Sequence, residues 1–82
     1  MTEIEAENNY MEDSLWEVEH FLAQENIDKD LLNETMINEM AYNYYKNYNY
    51  YEMDDEYALR AAVSVVLDEN NIAIDGFQMW LP

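Results

Sequence analysis

The sequence predicts a mainly α, three-helix domain, closed by a short C-terminal β-hairpin or an extended tail. Three observations carry this. Apolar residues recur at helical spacing in three separate stretches. Half of the 82 residues are apolar or aromatic, too many for a disordered acidic tail. Near the end, Asp75-Gly76 stands between alternating apolar runs, a strong short hairpin signal. No internal repeat or flexible linker divides the chain, so residues 1–82 read as one domain.

Taken in order, residues 1–9 are acidic. Thr2, Ile4 and Ala6 alternate with Glu3, Glu5 and Glu7, a period that permits an edge strand, while a frayed terminus is the other reading. The first helix is predicted over Tyr10–Gln24. Met11, Leu15, Val18 and Leu22 form its stripe, with Trp16 and Phe21 broadening it. Ser14-Leu15-Trp16-Glu17 fits a capping box, and Asn9 is an earlier alternative cap. The connector Glu25-Asn26-Ile27 leads to Asp28, an N-cap for a second helix from about Lys29 to Tyr51. The stretch Asn38–Tyr57 gives that helix its character, holding seven of the eight tyrosines. Ile37, Ala41, Tyr44, Tyr48 and Tyr51 fall on one helical stripe, flanked by Met40 and Tyr45. A tyrosine suits such a boundary because its ring buries while its hydroxyl reaches water or a partner. Asp54 or Asp55 caps a third helix running from Glu56 to Asp68 or Glu69. Its polar stripe is narrow, only Glu56, Arg60, Ser64 and Asp68, which makes it the core helix. Asn70-Asn71 ends it, because Asn tolerates left-handed backbone angles.

Charge is the loudest signal. Nineteen Asp and Glu face three Lys and Arg, a net charge of −16. Solubility alone requires a magnitude of roughly 2–8 in a small domain. The excess implies a salt-rich environment or a positively charged partner. It excludes DNA, RNA and anionic membranes as direct ligands. A compact chain of this length is about 30 Å across, and duplex DNA carries roughly 18 phosphates over that distance. The carboxylates are of the same order. There is no leader-like amino terminus and no apolar run of about 20 residues, which points to the cytoplasm. A chain this short is marginal alone, and a homodimer would add burial.

Catalytic and metal readings are weak. Without cysteine there is no thiolate site or cysteine nucleophile. Glu17-Val18-Glu19-His20 has the Glu-x-x-His spacing of carboxylate di-iron bundles, but those need it twice and His20 is the only histidine. Asp28-Lys29-Asp30 begins like a calcium loop, yet Leu32 and Asn33 stand where an oxygen ligand and a glycine are required. No cofactor and no enzymatic activity are expected.

Small, cysteine-free, acidic helical proteins rich in Tyr and Asn form a recognisable kind. The chain resembles the phage-encoded DNA-mimic inhibitors, of the Ocr-like antirestriction and anti-CRISPR type. The similarity lies in Leu31-Leu32-Asn33-Glu34-Thr35-Met36-Ile37-Asn38-Glu39-Met40-Ala41 with Tyr44-Tyr45 after it, and in Val65-Val66-Leu67-Asp68-Glu69-Asn70-Asn71-Ile72. The resemblance implies a phage or mobile-element protein acting in the bacterial cytoplasm on the DNA-binding cleft of a host defence or DNA-handling protein. On that reading the partner-binding residues are Glu17, Glu19, Glu52, Asp54, Asp55 and Glu56, with Tyr48 and Tyr50 as aromatic anchors. Replacing Glu52, Asp54, Asp55 and Glu56 together should abolish inhibition and leave the fold intact. Two other readings stand beside it. One is a protein-binding adaptor using an apolar patch of Tyr44, Tyr48 and Trp80. The other is an acidic protein of a salt-rich cytoplasm.

Overall fold

A computed structural model describes the backbone of residues 3–80 and the side chains of residues 12–80. Three helices follow one another: α1 over Glu3–Gln24, α2 over Glu34–Asn49 and α3 over Asp55–Glu69. A single 3-10 turn, Lys29–Leu31, lies between α1 and α2. The middle helix packs on both neighbours, while α1 and α3 touch each other less. The molecule measures 42 × 25 × 22 Å.

Several boundaries differ from the sequence reading. Glu3–Asn9 belong to α1 and form no edge strand. Ser14 is therefore inside the helix and buried, so it caps nothing. Asp28 caps only the 3-10 turn, accepting from the Asp30 amide at 2.9 Å. The true cap of α2 is Asn33, whose side chain accepts from the Met36 amide at 2.9 Å. The local reason is that an Asx cap fits the entry to either helix, and the sequence offers two within six residues. Asn47 and Asn49 stay helical.

Helices α1 and α3 end by the same device. Asn26 (φ 60°) and Asn71 (φ 56°) take left-handed backbone angles. The following isoleucine amides, of Ile27 and Ile72, reach back to Leu22 and Leu67 carbonyls at 2.9 Å each. This is the Schellman closure, with Asn in the usual glycine place and an isoleucine folding back toward the core. Ile27 is buried and Ile72 packs against the core cluster.

The core joins Val18, Phe21 and Leu22 of α1, Met40, Ala41 and Tyr44 of α2, and Ala58, Leu59, Ala62, Val63, Val66 and Leu67 of α3. Phe77 completes it from the tail.

The tail is extended, with no strand among the described residues, so the hairpin expectation is corrected. At Asp75-Gly76 only Gly76 has positive φ (80°), and the Phe77 amide donates to the Ile74 carbonyl at 3.3 Å. Tight two-residue hairpins need positive φ at the first central residue, which here is Asp75. A turn with glycine second splays its flanks instead. The tail then crosses α3. Arg60 donates to the Gln78 carbonyl at 2.9 Å, and the Trp80 amide donates to the Ser64 hydroxyl at 2.9 Å. Ser64, expected on the polar stripe, is thereby fully buried.

Candidate functional site

Four of the six acids singled out in the sequence, Glu52, Asp54, Asp55 and Glu56, gather where α2 ends and α3 begins. Asp55 and Glu56 occupy the first turn of α3, where the helix dipole favours carboxylates. Asp54 stands at the N-cap position without a side-chain cap bond. Glu52 sits in the connector at φ 52°, a left-handed angle that costs a non-glycine residue about 1 kcal/mol. Tyr50 ends α2 with its ring edge-on to Tyr45 at 5.9 Å, and is 67% exposed. Tyr48, in the last turn, is half exposed. Glu52, Asp54, Asp55 and Glu56 are all exposed.

Asp55 has a second task. Its carboxylate accepts the hydroxyl proton of Tyr44 in a short hydrogen bond that ties α2 to α3. Burial raises the Tyr44 pKa far above the usual phenol range. The hydrogen bond to Asp55 adds to this, as do the charges of Asp55 and Glu17. Tyr44 therefore stays a neutral donor at any physiological pH.

Glu17 reaches the same corner from α1. It shares one groove with Asp13, Trp16, Tyr44, Tyr45 and Tyr48, and a second with His20, Gln24, Asp55 and Glu56. The structure thus brings Glu17, Tyr48, Asp55 and Glu56 onto one surface. Glu19 is not part of it. Two positions apart on a helix means about 200° apart, so Glu17 and Glu19 flank opposite sides of α1. Glu19 lies beside Lys29 at 3.7 Å, in an exposed pair, near Leu32 and Ile37.

Trp16 was assigned to the buried stripe, and the structure places it in the open, 62% exposed and stacked on His20 at 5.2 Å. The helical wheel explains this: Trp16 stands about 160° from the central buried Val18. Tyr51 and Tyr57 are likewise exposed. Tyr51 leaves the tyrosine stripe because α2 stops at Asn49. The apolar patch of Tyr44, Tyr48 and Trp80 does not form. Tyr44 is buried, Tyr48 is in the α1–α2 groove, and Trp80 packs on Tyr57 at 5.7 Å in a different groove.

All three cations of the chain are engaged within it. Lys29 is beside Glu19, and Lys46 lies over the Tyr42 ring at 5.4 Å. Arg60 pairs with Glu25 at 2.5 Å, with the rings of Phe21 and Phe77 at 5.6 and 5.2 Å. No ion pair among the described residues involves Glu52, Asp54, Asp55 or Glu56. Among the described residues, no three His, Asp or Glu gather to hold a metal ion, and no helix is long and apolar enough to cross a membrane.

Comparison with protein-family models, curated proteins and solved structures finds no match to this chain.

Proposed function

We propose that this protein is a non-enzymatic DNA mimic of phage type, which occupies the nucleic-acid-binding surface of a host defence or DNA-handling protein. Its carboxylates stand in for phosphates, and the partner's Lys and Arg meet them. The observation that carries this reading is the distribution of charge. The chain nets −16, and its three cationic side chains are each engaged within it, Lys29 with Glu19, Arg60 with Glu25 and Lys46 over the Tyr42 ring. The exposed charge is therefore predominantly acidic.

Size supports the reading with an adjustment. The long axis is 42 Å, over which duplex DNA carries roughly 25 phosphates. The mimic's net charge density is then about two-thirds that of a duplex. Not every acid is free to act. Asp55 is committed to Tyr44, so replacing it perturbs the α2–α3 contact as well as the surface. A cleaner test is the triple variant Glu52→Gln, Asp54→Asn, Glu56→Gln. Binding of a basic DNA-binding partner should fall at least about tenfold, with helix content unchanged by circular dichroism. Undiminished binding by a folded triple variant would remove these acids from the site.

A further inference from the structure

The groove between α1 and the last turns of α2 has the makings of a cation pocket. Trp16, Tyr45 and Tyr48 supply ring surface, Asp13 and Glu17 supply carboxylates, and Asn49 closes one end. Trp16 and Tyr48 are at least half exposed, and the described residues place none of the chain's three cations in this groove. The same chain shows what such a combination holds. At Arg60 a guanidinium lies beside a pair of aromatic rings, 5.6 and 5.2 Å from their centres, with the Glu25 carboxylate at 2.5 Å. The α1–α2 groove repeats that chemistry, ring faces plus carboxylate, and among the described residues no cation occupies it.

We propose that this groove receives an arginine side chain of the protein partner. Arginine fits better than lysine because its planar guanidinium stacks on ring faces while forking onto a carboxylate, whereas an ammonium is a compact, strongly hydrated point charge. Net charge draws in any cation, and the rings choose among them. The inference deepens the proposed mimicry and rests on it for the partner's basic character.

The test uses the full chain carrying Trp80→Phe, so that Trp16 alone reports by fluorescence. It is titrated with nona-arginine and with nona-lysine at matched ionic strength near 0.15 M. Nona-arginine should shift Trp16 emission saturably and bind about three- to fivefold tighter than nona-lysine. Trp16→Ala and Tyr48→Ala, followed by anisotropy of labelled peptide, should each shrink that preference toward unity. Both residues are exposed, so both variants should fold. Equal affinity for the two peptides, or a preference that survives both variants, overturns the proposal. Its failure is separable from failure of the mimicry. If the triple acid variant loses a DNA-binding partner while Trp16→Ala binds that partner normally, mimicry stands and the groove is not the site.

Discussion

Helices α2 and α3 are nearly the same length, 16 and 15 residues, yet α2 buries three side chains and α3 buries eight. The difference comes from what covers each. One side of α3 meets α2, and its polar stripe is roofed by the tail through Arg60–Gln78 and Ser64–Trp80. Helix α2 is wedged between its neighbours along a thin line, Met40, Ala41 and Tyr44, and its other faces stay open. The lesson is a division of labour. The third helix supplies the largest share of the buried side chains. The second joins its two neighbours through that line and leaves Tyr42, Tyr48 and the neighbouring acids exposed.

The sharpest way to break this comparison is to truncate matched positions. Leu67→Ala empties a fully buried site in α3 and should cost about 2–5 kcal/mol. Tyr51→Ala, just past α2 and 62% exposed, should stay within about 0.5 kcal/mol. Urea denaturation measures both, and similar losses would erase the distinction. A smaller effect is expected at the roof. Arg60→Ala removes the Glu25 pair, the Gln78 carbonyl bond and two ring contacts, and should cost about 1–3 kcal/mol. Trp80 emission should shift red as the tail loosens. An unshifted emission would mean that the tail holds without Arg60.

The smallest effect concerns the link between the two helices. Tyr44→Phe deletes the hydroxyl bonded to Asp55 and should cost about 1 kcal/mol at pH 8. Its pH dependence has a definite sign. The folded pKa of Tyr44 is raised above its unfolded value near 10. Its stabilisation is thus whole below about pH 10 and is lost as pH climbs from there toward the folded value. Urea midpoints of wild type and Tyr44→Phe should converge above pH 10. A gap that widens there would contradict the assignment.

Much of this was legible in the sequence, for identifiable reasons. Strong periodicity exposed all three helices, and the narrow polar stripe marked α3 as central. Asn70-Asn71 gave its end through the αL tolerance of asparagine, and the same signal at Asn26 was open to reading but passed over. Competing local caps blurred the rest. Asp28 and Asn33 both cap well, and only packing decides which one starts α2. Asp75-Gly76 reads as a hairpin by pattern, yet the tail has a better partner in Ser64 and Arg60 than in another strand. At the candidate site, the run Glu52, Asp54, Asp55 and Glu56 is visible in the sequence as an acidic cluster, and the structure places it in the α2–α3 connector and the first turn of α3. Glu19 is close to Glu17 in sequence but lies on the other side of α1, beside Lys29. Trp16 reads as part of the buried stripe because it is large and apolar, yet its helical angle points out.

The central claim is that the outward acid takes the place of nucleic acid. The most direct measurement immobilises the chain, passes a bacterial lysate over it, elutes with a salt gradient and repeats the capture with duplex DNA as competitor. The account predicts a basic nucleic-acid-binding protein that elutes at moderate salt and is displaced by the duplex. A retained partner indifferent to both salt and duplex DNA would contradict it.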